Sequence, residues 1–112
     1  MSRSMMAIVL AVSALLLART ASAQGDLVQK GQKVFTDQKC AMCHSIAGKG
    51  NAKGSLDNVA SQFKPDEIRQ WILNSKEMAA KHDAQRKPPM KDFSSLPKGD
   101  VDALVAYLST LK

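Results

Sequence analysis

The sequence predicts an all-α fold in one small domain, and three observations predict it. Apolar residues recur at helical spacing in three stretches. No stretch shows the strict alternation of a useful strand. Glycine and proline gather between the periodic stretches or at their starts, Gly31 excepted. The three main helices are expected over about 26–39, 65–76 and 99–111.

Residues 1–23 read as an export leader that is cleaved. Arg3 charges the start, an apolar run covers Ala7 to Ala18, and small residues stand at Ala21 and Ala23. The run is too short to span a bilayer, which takes roughly 20 residues. Cleavage after Ala23 leaves residues 24–112 as a single domain with no segment able to cross a membrane. Loss of Arg3 and Arg19 leaves 14 basic against 10 acidic side chains, so the formal net charge falls from +6 to +4.

Each helix has its own signals. Asp26 is suited to capping the first, and Leu27, Val28, Gly31, Val34 and Phe35 share one face. Gly48, Gly50 and Gly54 then mark a loop, anchored by Leu56 and Val59. Pro65 fits the first turn of the second helix, and Asp66 and Glu67 suit its dipole. Ile68, Trp71 and Ile72 form its buried stripe, and Asn74-Ser75 is the expected end, with "KEMAAK" adding a further turn. Three of the four prolines fall in residues 82–99, which reads as loop. The last helix begins with Asp100 and Asp102, ends at Lys112, and repeats Val101, Leu104, Val105, Leu108 and Leu111 on one side.

Such a chain has a thin core. Its only aromatics are Phe35, Phe63, Trp71, Phe93 and Tyr107. Small exported domains often compensate with several disulfides, but Cys40 and Cys43 are the only cysteines and lie three residues apart. They cannot staple distant segments, so a large apolar cofactor is the expected filler. The basic excess suits an acidic partner surface or simple solubility. Nucleic acid is disfavoured, because no platform of aromatic and basic residues is present.

The pentapeptide Cys40-Ala41-Met42-Cys43-His44 carries the chemistry. A redox disulfide of the thioredoxin kind needs a strand before its CxxC, and none is expected here. A structural zinc site needs four ligands. Cys40, Cys43, His44 and His82 are the only set, and adjacent Cys43 and His44 chelate one ion poorly. Covalent haem attachment needs CxxCH as it stands. Two thiols add across the porphyrin vinyl groups, and the next residue, His44, falls beneath the iron. One haem c per chain is therefore expected, held by Cys40 and Cys43 with His44 as one axial ligand. Export agrees, since bacteria attach this haem outside the cytoplasmic membrane.

The second axial position decides function: a closed site favours electron transfer, an open one binds small molecules. Met42 is pinned between the cysteines. Met90 follows Pro88-Pro89, which fix the backbone before it and lower the entropy cost of holding a weak thioether ligand. Met90 is the favoured ligand. The alternatives are Met78, in a helical turn, and a site that is open or ligated by histidine. His82, in the polar run "KHDAQRK", is expected to be solvated.

Taken in this order, with Gly31 and Phe35, then CAMCH, then Met90, then "ALVAYL", residues 26–112 resemble a class I (monohaem) cytochrome c over essentially the whole exported chain. The resemblance implies three helices wrapped around one haem. It further implies that Gly31 and Phe35 meet the last helix around Leu104, Tyr107 and Leu108. One departure stands out. Members of the family often carry a proline soon after the motif, whose carbonyl accepts from the proximal histidine. "KGSL", Lys53 to Leu56, occupies that place here. The His44 Nδ1–H then needs another acceptor, expected at a backbone carbonyl near Gly54 or Ser55.

The expected function is a one-electron carrier of the bacterial periplasm, not an enzyme, with His44/Met90 ligation. A soft thioether and apolar walls from Leu56, Val59, Ile68, Trp71, Ile72 and Phe93 both favour the ferrous state. Lys39, Lys49, Lys53, Lys87 and Lys91 flank the ligand-bearing segments and suit an acidic face on a redox donor or acceptor. Trp71 is expected to pack in the core, with a bond from its indole N–H to a haem propionate as the second reading. Two rival functions stay open: a tightly bound haem subunit of a periplasmic dehydrogenase or oxidase, and a small-molecule-binding haem protein with an open iron.

Overall fold

Helix α1 runs through residues 22–37 of the computed structural model, which describes residues 22–112. The proposed leader falls mostly outside the described residues, and only Ser22 and Ala23 of it lie in α1. Asp26, expected as a cap, sits inside this helix. A short antiparallel hairpin follows, β1 (Ser45–Ile46) and β2 (Lys49–Gly50), with Ser45 opposite Gly50 and Ile46 opposite Lys49. Then come α2 (Val59–Gln62), α3 (Pro65–Leu73), α4 (Ser75–Lys81) and α5 (Lys98–Leu108).

Nothing in the sequence pattern predicts the hairpin, and its turn chemistry explains it. Ala47 and Gly48 both adopt positive φ, 51° and 78°, the backbone of a two-residue turn that matches strand twist. The Asp57 carboxylate accepts from the Ala47 N–H at 2.7 Å, which supports the unusual alanine.

The expected second helix is two helices. Glu67 accepts from the Lys64 N–H at 3.1 Å and fixes the start of α3. Asn74 leaves helical backbone at φ −133°, ψ 49°, and α4 sets off from Ser75 in place of a straight run to residue 76. At the other end, α5 stops at Leu108, short of the expected 111. The Thr110 hydroxyl and the Thr110 N–H both donate to the Tyr107 carbonyl, tightening the end. Leu111 then turns back, and its carbonyl accepts from Ala60 N at 2.9 Å, tying the tail to α2.

One apolar cluster joins these helices: Val34 and Phe35 from α1, Ile68 and Ile72 from α3, and Val101, Leu104, Val105 and Leu108 from α5. Most positions expected from periodicity are buried, but Leu27 is exposed and Val28, Trp71 and Leu111 are only half-buried, the first two because the start of α1 lies beyond the helices that cover Val34 and Phe35. Gly31 lies where α1 crosses α5. A Cβ there would overlap the Ala103 carbonyl and come within 2.6 Å of Tyr107 Cβ. Glycine at this position lets the two backbones touch. Phe35 meets Tyr107 edge to face at 6.0 Å between centroids. Arg69 pairs with Asp102 at 2.7 Å on the outer side of the α3–α5 contact.

Candidate functional site

Cys40 to Met42 form a single 3₁₀ turn directly after α1, entered through Lys39 in left-handed backbone at φ 57°. The turn presents both thiols and His44 to one side. His44 N donates to the Cys40 carbonyl at 2.9 Å, and Cys43 N donates to the same oxygen at 3.1 Å. Asn51 closes the segment from outside: its N–H bonds the Ala41 and His44 carbonyls at 3.1 Å, and its side-chain amide donates to the Met42 carbonyl. Gly50 runs against these carbonyls at φ +108°, and a Cβ there would overlap the His44 oxygen. Its role is close approach to the motif, which glycine's use as a loop marker did not reveal.

The His44 Nδ1 lies 3.0 Å from the Gly54 carbonyl. A carbonyl only accepts, so Nδ1 carries the proton and the neutral ring keeps its lone pair on Nε2. The expected replacement for the proline carbonyl is thus present at Gly54. Burial pushes the His44 imidazole below its ordinary pKa, and the Arg86 guanidinium pushes the same way against the Gly54 bond. The ring is thereby held neutral, the form that ligates a metal. Burial also pushes the Cys40 thiol up. Both thiols are free, Cys40 half-buried against the core and Cys43 exposed.

A cavity of about 540 Å³ opens beside this turn, within the range of small-molecule and cofactor sites. Cys40, Cys43 and His44 line one side of it, and Met90 lines it as well. Leu56, Val59, Ile68, Trp71, Ile72 and Phe93, the residues expected to surround the haem, all contribute to its wall. Met78 is buried in α4 at 6% exposure. Among the described residues that line the cavity, Met90 and Met42 are the methionines, and Met42 is 70% exposed between the cysteines. His82 is exposed, as expected, yet not free of the protein: its ring stacks on Trp71 at 5.6 Å and meets the edge of Phe63.

The cavity fits a haem on two observations. Its walls are mostly apolar, with Lys39, Arg86 and Lys91 among the few charged residues on them, and both thiols and the imidazole come from one short segment of its lining. Trp71 Nε1 is buried without a hydrogen-bond partner, an orphaned donor in the wall that an anionic substituent on a bound group would satisfy. No three or more His, Cys, Asp or Glu side chains among the described residues converge on a point where they could hold a bare ion.

The distal segment was only partly legible. The Met90 carbonyl accepts from the Ser75 hydroxyl at 2.9 Å, and the same hydroxyl lies 2.5 Å from Asp92 Oδ1. In the sequence, Ser75 marks only the end of a helix. A single serine in a polar junction carries no sequence signal for such a contact.

A small all-α domain with two thiols, an imidazole and a thioether on one apolar cavity defines a class, the haem proteins of c type. The family model described as Cytochrome c matches residues 28–112, and the chain belongs to the cytochrome c family. Its cofactor is accordingly a covalently bound c-type haem, and its chemistry is haem-based electron transfer with redox partners. The chain is also similar to "Cytochrome c oxidase subunit 2" of Alkalihalophilus pseudofirmus, 24% identical over 95 residues. That match covers 77% of this chain and 26% of the relative, so the chain spans about a quarter of its length. No solved structure matches the chain.

Proposed function

We propose that the protein is a periplasmic one-electron carrier whose haem is bonded to Cys40 and Cys43 and ligated by His44 and Met90. The observation that supports this best is the convergence of all four side chains on one cavity, with His44 Nε2 left unprotonated by the Gly54 bond. When bound, haem supplies the one-electron ferric/ferrous couple.

The chain's own residues do the rest. Cys40 and Cys43 would anchor the group through thioethers. Gly54 orients the imidazole and raises its basicity through Nδ1. The Met90 thioether, a soft donor, favours the reduced metal and raises the potential. Ile68, Ile72, Phe93 and Leu56 exclude water, which disfavours the added charge of the oxidised state. His44 and Met90 would both stay bound to the group, so no exchange of ligands would accompany transfer. Lys39 and Lys91 stand at the cavity rim, and Lys53 and Lys87 line a hollow beside Met42 and Cys43. With Lys49 nearby on β2, they form the proposed docking face for an acidic partner. Transfer rates that stay flat as ionic strength rises would remove the docking face from this reading.

The test of ligation is a pair of absorption spectra of the ferric protein. A sulfur-to-iron charge-transfer band is expected in the native protein and lost in Met90→Ala. Intact mass of protein matured in its native compartment checks the thioethers. A folded product at the bare polypeptide mass refutes them.

A second reading is a haem subunit of a larger oxidase or dehydrogenase. The similarity to an oxidase subunit favours it. Co-purification of a stable complex from the native membrane fraction supports the subunit, and recovery as a free monomer in the periplasmic fraction supports the carrier.

A further inference from the structure

We propose that Ser75 and Asp92 form a latch that holds the backbone of Met90 and thereby keeps its sulfur on the iron. The proposal rests on Met90 being the second axial ligand.

Ser75 is the only fully buried polar side chain of this region, at 0% exposure, and stands at the junction of α3 and α4. A hydroxyl in such a place costs stability unless it is paired. Its pairing is specific. The hydroxyl proton is shared between the Met90 carbonyl at 2.9 Å and Asp92 Oδ1 at 2.5 Å. The same carboxylate oxygen accepts from Lys76 N at 3.2 Å, so one atom fastens the methionine segment to the start of α4. One residue further, Phe93 N donates to the Ile72 carbonyl at 2.9 Å.

Upstream of Met90 there is nothing comparable. Residues 85–89 make no backbone–backbone hydrogen bond, and Pro88 and Pro89 have no N–H to give. Met90 is therefore held from its downstream side, and Ser75 is the buried group that does the holding. Neither Ser75 nor Asp92 lines the cavity. Both are positioning residues that act through the backbone of Met90.

Imidazole added to the ferric holoprotein competes with Met90 for the iron, so its affinity reads how firmly the sulfur is held. Loss of a hydrogen bond to a charged group predicts that Ser75→Ala binds imidazole about tenfold more tightly than the native protein. Asp92→Ala is expected to do the same. Asp92→Asn keeps the acceptor oxygen and is expected to stay near native. Asp102→Ala breaks an ion pair elsewhere on the fold and is expected to leave imidazole affinity unchanged, which separates the latch from general destabilisation. If Ser75→Ala does not fold, the contrast between Asp92→Ala and Asp92→Asn carries the test. Native imidazole affinity in the latch variants, with the sulfur-to-iron band still lost in Met90→Ala, overturns the latch and leaves the ligand. Survival of that band in Met90→Ala overturns the ligand, and the latch with it.

Discussion

The two sides of the cavity are fastened differently. On the His44 side, residues 40–56 are laced by local bonds: His44 to Cys40, Asn51 to Ala41, Met42 and His44, Leu56 N to the Ser45 carbonyl at 2.8 Å, and the imidazole to Gly54. On the Met90 side, residues 85–89 have no backbone partners, and the segment is secured at Ser75 and Ile72. His44 is held by its own neighbourhood in sequence. Met90 follows two prolines that restrict the chain, and its carbonyl is bonded to a hydroxyl 15 residues away. In the proposed ligation, the stronger imidazole donor would thus sit on a dense frame and the weaker thioether on a tethered loop.

Gly50→Ala should break the contrast most severely, because it attacks the dense side. A Cβ would overlap the His44 carbonyl at a φ that alanine avoids, at a cost of about 3 kcal/mol from strain and overpacking together. Urea unfolding of the holoprotein measures it, and a change under about 1 kcal/mol would mean that the frame yields. Gly31→Ala tests the crossing that carries the motif. Forcing α1 away from Ala103 and Tyr107 is expected to cost about 2 kcal/mol, read from the same melts.

Pro89→Ala probes the tethered side. The residue is exposed, so the loss of stability should stay below about 1 kcal/mol. Exchange of the sulfur with added imidazole should nevertheless quicken, and stopped-flow mixing would show it. An unchanged rate would shift the burden of holding Met90 wholly onto its downstream contacts.

The smallest effect concerns the distant ion pairs, which serve as a reference for both sides. Lys98 first, and then Arg69, hold the Asp102 carboxyl below the usual carboxylate range. A lowered pKa in the folded state adds stability above the unfolded value, and that stability is lost as pH falls through the folded one. Native protein should therefore lose stability more steeply than Asp102→Asn as pH drops from about 5 towards 3. Parallel thermal melts across that range would contradict it.

The asymmetry also explains what could be read in the sequence. The helix faces were legible because burial on one side of a helix imposes a 3.6-residue period, and Val34, Ile68, Ile72, Leu104 and Leu108 are buried where that period placed them. The motif was legible because two thiols and an imidazole must sit within one turn. Even the Gly54 carbonyl followed from asking what would satisfy Nδ1. The hairpin at residues 45–50 escaped because two-residue strands are too short to show alternation. The break at Asn74 was foreseen as an end, but its purpose was not. Ser75 and Asp92 are ordinary polar residues in sequence, and only the return of the chain from residue 90 brings them together.

The crossing at Gly31 also bears on how the molecule is made. Residue 31 meets residue 103, so the contact closes a loop spanning most of the polypeptide, and such distant pairings form late. Until α5 has left the ribosome, α1 has no partner at Ala103 and Tyr107, so the crossing cannot be sealed while the residues between them are being made.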